Sequence, residues 1–234
     1  MNNLAEQQTS QPLEKGSISR VELVYRTLKK SILSNEFYPG YQALEPELAK
    51  SLGVSRTPVR EALIRLENER LIELIPRRGM RVIPLVPDDM KEIYQVLTSL
   101  EVTAVELLAR QRPQRHDLAE LIQAINDMDA SLNTDNREGW AEADDRFHRL
   151  LVESCGNQRL ALMASSLRDQ GHRARLVTLK LRDKPTKSNK DHRDVLEAIL
   201  EGDWQKATTT HYEHRRHAAD TLVKILQEFK LPHL

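Results

Sequence analysis

The segment from residue 45 to residue 70, EPELAKSLGVSRTPVREALIRLENER, constrains the fold of this chain more than any other. It has the pattern of two short helices joined at Gly53. Thr57 and Pro58 predict the start of the second helix, because threonine caps a helix N-terminus well and proline fits the first helical position. The apolar residues that follow recur with helical spacing and predict a buried face. They are Val59, Ala62, Leu63 and Leu66.

The other face of this second helix is polar and cationic near its N-terminal end. The residues that face away from the apolar stripe are Thr57, Arg60, Glu61 and Ile64, and Arg56 precedes them. A helix that packs by one face, with cations and a hydroxyl at its free N-terminus, matches a helix-turn-helix recognition helix in the major groove. An ordinary surface helical hairpin would show the same pattern, so this segment alone leaves both interpretations open.

Composition limits the compartment and the partners. The chain has 234 residues, enough for one large or two small domains, and its 35 basic and 35 acidic residues cancel. The balance does not indicate a basic surface over the whole chain. Residues 1–86 carry 13 basic against 10 acidic side chains, a small excess that gives weak support for nucleic-acid binding at the N-terminal end. The single cysteine, Cys155, excludes an internal disulfide and fits a reducing compartment.

The start of the chain carries no pattern of a signal peptide, and no apolar run approaches the ~20 residues of a membrane span. We therefore expect a cytoplasmic protein without a membrane partner. Residues 1–16 are rich in Gln, Ser and Glu, a composition that predicts a disordered arm.

Two short strands around a basic turn complete the N-terminal pattern. An amphipathic helix over about 19–35 precedes the helix pair. Leu71–Ile75 and Met80–Pro84, rich in β-branched and aliphatic residues, flank the turn Pro76-Arg77-Arg78-Gly79. The tip of such a hairpin can lie on a phosphate backbone or in a minor groove. Three helices and this hairpin predict a winged helix-turn-helix domain over residues 17–84, which favours DNA binding.

A continuous motif runs through the same residues: PG-x-x-L-x-P-x-LA-x-x-LGVSRTPVREAL-x-x-L-x-x-x-x-LI, followed by PRRG-x-x-V. It resembles the winged-helix domain of the GntR family of bacterial transcription regulators, and GVSRTPVREAL is a specific signature. The resemblance implies a set of contacts to phosphates and base edges of double-stranded operator DNA. These are Ser55, Arg56, Thr57 and Arg60, with Arg78 and Gly79 at the wing tip. Pro46 departs from the pattern where some members carry a DNA-contacting arginine, and Arg70 replaces the usual glycine.

Beyond a short linker, residues 85–88, the chain reads as helical, without an alternating strand pattern. Helices are predicted at about 88–111, 115–133, 137–155, 158–181, 189–201 and 203–229. Amphipathic helices of this length with short connections pack as an antiparallel bundle. The predicted fold is therefore mainly α, with the winged helix-turn-helix followed by an all-helical domain over residues 89–234.

Ionisable side chains fall on the apolar faces of three of these helices. They are Asp144 and His148 in the helix over 137–155, His192 in the next-to-last helix, and His211 and His214 in the last. Asp144 and His148 are four residues apart, so they project from one side of their helix and can hold one ion. A buried, unpaired carboxylate costs several kcal/mol, so a partner must compensate Asp144.

That partner need not be a metal. A single inward histidine is more often a satisfied core residue than a ligand, and Asp144 could pair with Arg146 or Arg149. The pattern alone leaves the metal site and the polar core as equal alternatives.

A second resemblance favours the metal. Residues 88–230, with FHRLLVESCGN and a D-x-x-x-H pair followed by two histidines 22 residues apart, look like the FCD-type ligand-binding domain of many GntR regulators. The resemblance implies that Asp144, His148, His192 and His214 bind one divalent transition metal per chain. Zinc, nickel, manganese and iron all suit these donors.

The same resemblance implies a small organic acid as effector, because in that family the metal keeps positions for water or a small carboxylate. The candidates for the pocket wall are Arg173, Arg175 and His211. His172 and His217 would become ligands if the helix phases differ. Members of the family often carry an inward arginine near Leu97, which this chain lacks.

Together these features predict a ligand-responsive DNA-binding regulator, expected to be a repressor that acts as a homodimer on a pseudo-palindromic operator. One alternative is a metal-dependent enzyme with a DNA-binding appendage, and another is a structural nucleoid-associated DNA binder. We expect no enzymatic activity, because the sequence shows no acid–base pair at a defined spacing, no nucleophile motif and no phosphate-binding glycine loop.

Overall fold

Three helices and a small antiparallel sheet surround one apolar core in the N-terminal part of the protein. The computed structural model describes residues 18–229, so the predicted arm over residues 1–16 lies outside the described residues. The elements are α1 (Arg20–Leu33), β1 (Gln42–Ala43), α2 (Glu45–Leu52), α3 (Arg56–Asn68), β2 (Ile72–Ile75) and β3 (Gly79–Val82). Strand β3 lies between β1 and β2 and pairs with both. This architecture confirms the predicted winged helix-turn-helix fold.

Two details of this half differ from the sequence prediction. Strand β1 was not predicted, because two residues are too few to show a period-two pattern. Helix α3 begins at Arg56 with Ser55 as its N-cap, so the predicted N-cap at Thr57 was wrong by two residues. Pro58 still fits, because the first four N–H groups of a helix have no partner within it.

The C-terminal part consists of six helices around a second apolar core in the described residues. They are α4 (Pro87–Gln111), α5 (Ala119–Asn133), α6 (Arg137–Glu153), α7 (Gln158–Thr178), α8 (Thr186–Glu201) and α9 (Trp204–Glu228). The predicted helical bundle is confirmed, with α5 starting later and α8 earlier than expected, and a 3-10 turn after α7. None of the helices within residues 18–229 has both the length and the apolar character that a membrane crossing requires.

Helix α7 joins the two parts through polar contacts. The Lys29 Nζ of α1 lies 2.6 Å from Asp169 Oδ2 of α7 and 2.8 Å from Glu69 Oε2 at the end of α3. Arg173 of α7 donates a hydrogen bond to the carbonyl of Ile83, just after β3. Helix α7 therefore contacts the winged-helix half directly.

Arg70, two residues after the end of α3, adopts a strained backbone conformation, and substitution there can measure the cost of the strain. Arg70 has a left-handed backbone with φ +55°, where the family pattern has glycine. This conformation costs a residue with a side chain about 1–2 kcal/mol. We expect Arg70→Gly to raise the free energy of unfolding by about 0.5–1 kcal/mol, since part of the gain is lost to the flexibility of glycine in the unfolded chain. Urea denaturation followed by circular dichroism measures the change.

Gly53 provides the matched opposite change. It ends α2 with φ +65°, and a Cβ there would meet no heavy atom within 4 Å, so strain alone decides the result. Gly53→Ala should lower the free energy of unfolding by about 1 kcal/mol. A less stable Arg70→Gly protein, or an unchanged Gly53→Ala protein, would contradict this account.

Candidate metal centre and nucleic-acid interface

Three helices of the bundle bring the four predicted metal ligands together. Asp144 and His148 lie one turn apart on α6, His192 lies on α8 and His214 on α9. Their side chains are almost completely buried, and one potential ligand atom from each lies within 4.8 Å of the others. Residues separated by up to 70 positions in the chain thus form one compact group, which we call the histidine–aspartate cluster.

Asp144 provides the negative charge of this cluster. Its Oδ2 atom lies 2.6 Å from Nη1 of the buried Arg175 on α7, while Oδ1 lies 3.5 Å from His192 Nε2. Burial raises the pKa of Asp144, but the charge of Arg175 and neighbouring positive groups outweigh it, so the pKa is lowered overall. Asp144 is therefore ionised at neutral pH, with one oxygen held by Arg175 and the other directed to the imidazoles.

The ion pair with Arg175 replaces the pairs that the sequence allowed. Arg146 pairs with Asp127 instead, and Arg149 with Glu153. Both arginines project from α6 away from the interior of the bundle, whereas Asp144 faces it. A distant helix therefore supplies the partner of Asp144.

His192 carries two ring nitrogens of the cluster that have few polar contacts. Its side chain is fully buried, and neither ring nitrogen has a hydrogen-bond partner among the described residues. Burial lowers the pKa of His192 well below its ordinary value, and the nearby His214 and His148 lower it further, so the ring is neutral. An unsatisfied buried polar group costs about 1–3 kcal/mol. Neutral imidazoles with one carboxylate fit a divalent transition metal, which would satisfy the free nitrogen.

A second buried carboxylate, Glu101 on α4, lies behind His148 and was missed by the sequence analysis. Its Oε2 atom lies 3.0 Å from His148 Nδ1, 2.9 Å from His211 Nε2 and 3.2 Å from Arg215 Nε. Burial raises the pKa of Glu101, but Arg215 and His148 outweigh this effect and hold the pKa well below its ordinary value. A sequence signal existed, since Glu101 follows Leu97 by four residues on the apolar face of its helix.

Two other predicted residues are not among the four side chains of the cluster. His211 is buried beside the cluster, with its ring centroid 5.6 Å from that of His148, and it contacts Glu101. Arg173 faces Ile83 at the junction of the two halves. Arg173 and Arg175 are two residues apart, about 200° around the helix, so they point to different sides of α7. Burial without a carboxylate partner lowers the pKa of Arg173 to about 10. Two further histidines are not in the cluster. His172 lies 3.5 Å from Asp145, and His217 is exposed.

The predicted DNA contacts lie at the N-terminal end of α3 and at the turn between β2 and β3. Ser55, Arg56, Thr57, Arg60 and Arg78 are all exposed. The apolar stripe of α3 is buried, so the N-terminal end of this helix is free to enter a groove. Glycine is required at position 79 for packing, independently of any DNA contact, because a Cβ there would lie 2.2 Å from the carbonyl oxygen of Ala43.

These features define a DNA-binding regulator in which a winged helix precedes an all-helical domain. Residues 20–82 match the family model of bacterial regulatory proteins of the gntR family, and residues 92–217 match that of the FCD domain. The chain belongs to the GntR family of bacterial transcription regulators and carries an FCD domain, which confirms both resemblances.

Individual relatives agree with this assignment. The chain is 39% identical over 162 residues to an uncharacterized HTH-type transcriptional regulator of Agrobacterium vitis, covering 66% of this chain and 94% of the relative. It is 24% identical over 205 residues to the HTH-type transcriptional repressor RspR of Escherichia coli, covering 88% and 90%. The solved structure of E. coli McbR/YncC matches with a TM-score of 0.76 at 22% identity, over 91% of this chain and 100% of that one, which supports the fold. The protein is thus a transcription regulator, and the enzyme alternative is set aside.

Proposed function

We propose that this regulator is a repressor that binds a pseudo-palindromic operator as a homodimer and releases it when a small organic acid binds at a metal ion. The observation that carries the proposal is the buried histidine–aspartate cluster, in which neither ring nitrogen of His192 has a hydrogen-bond partner among the described residues. A divalent ion held by Asp144, His148, His192 and His214 would supply positive charge and a binding position for a carboxylate oxygen. Zinc, nickel, manganese and iron remain candidates for this ion.

Two further side chains support an acidic effector at this position. Arg175, already beside Asp144, is a buried cation that can attract a second carboxylate. His211 is fully buried, and its Nδ1 atom has no hydrogen-bond partner among residues 18–229. We assign Arg175 and His211 to the effector pocket. Arg173 is not included, because its guanidinium lies at Ile83.

The DNA-binding half would act through the free end of α3 and the wing. Ser55, Arg56, Thr57 and Arg60 would contact phosphates and base edges, and Arg78 the backbone beside the wing. Two copies related by a two-fold axis would place two such helices on successive half-sites. The name of RspR, a repressor, supports repression as the direction of control.

Helix α7 offers a physical route between the effector and the operator. Arg175 binds Asp144 of the cluster, while Asp169, less than two turns earlier, binds Lys29 of α1. A cleft of about 800 Å³ lies between α1 and this part of the bundle, and His172 lines it. A shift of α7 at the cluster would therefore change the contacts that position the winged helix, and linkage requires operator DNA to weaken effector binding equally.

Metal content tests the first part of the proposal. We expect about one transition-metal ion per chain in the purified protein, and its loss in the double variant Asp144→Ala, His192→Ala, because two of four donors are removed. His217→Ala is the matched control, since this histidine lies exposed on the same helix as His214. Elemental analysis measures the metal content, and native mass spectrometry detects a bound acid. Metal-free wild-type protein that takes up none of the four candidate ions would overturn the site.

Substitution of a recognition residue tests the DNA contacts. With an operator obtained by selection from random DNA, Arg60→Ala should weaken specific binding by about 1–3 kcal/mol if the arginine reads a base. A phosphate contact would instead weaken binding to all sequences alike. Arg159→Ala, on the exposed start of α7, is the control for the loss of one positive charge. Unchanged affinity of Arg60→Ala would contradict the contact, and sequence-independent binding with a full salt slope would favour a nucleoid-type protein.

The contact between Lys29 and Asp169 tests the coupling. Metal-loaded wild-type protein should lose operator affinity about 5–150-fold with an acid from a series of acetate, succinate and citrate. Lys29→Met should reduce this ratio, because the ion pairs of α1 with Glu69 and Asp169 are lost. Lys30→Met removes the same charge one residue away, at an exposed position, and should keep the ratio. Equal ratios in both variants, measured by fluorescence anisotropy, would exclude this route.

A further inference from the structure

We propose that Glu101 is a positioning residue of the metal centre: its carboxylate holds the ring of His148 so that Nε2 faces the histidine–aspartate cluster. The inference rests on the proposed metal site, and it assigns a role to a helix, α4, that supplies no ligand. It also gives a reason for a carboxylate that lies almost completely buried in the middle of that helix.

The geometry at His148 assigns its two ring nitrogens. The Nδ1 atom lies 3.0 Å from Glu101 Oε2, while Nε2 lies 3.7 Å from Asp144 Oδ1 on the cluster side. A carboxylate that neighbours a buried arginine is ionised and can only accept hydrogen bonds. The proton of the neutral ring therefore sits on Nδ1, and the lone pair of Nε2 faces the cluster. A histidine that binds a metal through one nitrogen commonly donates the other N–H to a carboxylate in this way.

Glu101 is itself held from the far side. His211 Nε2 lies 2.9 Å and Arg215 Nε 3.2 Å from the same Oε2 atom, and both side chains belong to α9. The guanidinium of Arg215 also lies over the ring of Tyr94, 4.9 Å from its centroid. The side chains of α9 thus fix the carboxylate before any ion binds. Because the carboxylate is held in place, it can determine the orientation of the His148 ring.

The position of Arg215 argues against a second metal site at Glu101. Glu101, His148 and His211 are close enough to one another to hold an ion of their own. A divalent ion there would lie next to the buried guanidinium of Arg215, and two like charges at such a distance repel strongly in a buried site. Arg215 already supplies the positive charge that Glu101 requires. Glu101 therefore accepts a hydrogen bond from Nδ1 of the proposed ligand His148 and does not bind an ion itself.

The three imidazoles of the cluster are supported unequally. His214 Nδ1 lies 3.5 Å from Asp191 Oδ2, a longer contact to a carboxylate that Lys187 also binds. His192 Nδ1 has no hydrogen-bond partner among the described residues, and its Nε2 lies 3.5 Å from Asp144, which is itself a proposed ligand. Because the contact of His148 to Glu101 is shorter than that of His214 to Asp191, we expect Glu101 to matter most for the orientation of a ligand.

The test compares Glu101→Gln with the double variant Glu101→Gln, Arg215→Gln in the full-length protein. Zn²⁺ affinity, measured by competition with a chelator, should fall about 10–100-fold in both variants. The single variant leaves Arg215 buried without its carboxylate and is expected to be less stable, whereas the double variant removes both charges. If Glu101 served stability alone, the double variant would recover Zn²⁺ affinity together with its stability. Glu106→Gln, which removes a partly exposed charge from the same helix, is the control.

A spectroscopic measurement reports the positioning directly. In the metal-free wild-type protein, ¹⁵N chemical shifts of His148 should show the tautomer with the proton on Nδ1, and the double variant should show a mixture of tautomers. If wild-type protein binds no Zn²⁺, the proposed metal site fails. If it binds Zn²⁺ and the double variant binds equally well with the same tautomer, the site stands and the role of Glu101 is wrong.

Discussion

The buried ion pair between Asp144 and Arg175 is the interaction on which the helical domain depends. Without Arg175, an ionised Asp144 would lie among neutral imidazoles in an apolar bundle, at a cost of several kcal/mol. The pair fixes α6 against α7, and so fixes the helix that carries Asp169 and Arg173 to the DNA-binding half. The need of Asp144 for a positively charged partner thus determines how α6 and α7 pack, and α7 in turn contacts the winged helix.

Glu101 on α4 and Arg215 on α9 form a second buried pair of a carboxylate and a guanidinium. Two carboxylates, two guanidiniums and four imidazoles therefore occupy a region that apolar side chains would fill more stably, since buried ion pairs seldom exceed well-packed apolar residues in stability. Their mutual geometry, with one ring nitrogen of His148 facing Glu101 and the other facing the cluster, is compatible with the proposed metal site and its support.

The DNA-binding half was predictable almost completely, because its signals are local. The stripe of α3, the glycine at the end of α2 and the basic turn of the wing each follow from a few neighbouring residues. The errors there were also local. Strand β1 is too short to produce a periodic signal, and two capping residues two positions apart, Ser55 and Thr57, are both possible at the start of α3. Gly79 was expected at the wing tip, but its lack of a Cβ is required by the approach of Ala43.

The sequence by itself determined the class of the protein, the order of its helices and the faces on which Asp144, His148, His192, His211 and His214 lie, because helical periodicity fixes which side chains point inward. Only the tertiary structure determined which residues those side chains contact. Arg175 rather than Arg146 or Arg149 pairs with Asp144, Arg173 faces Ile83, and Glu101 stands behind His148. Periodicity gives a direction from the helix axis, whereas the partner at the end of that direction depends on how separate helices pack, which no local pattern contains.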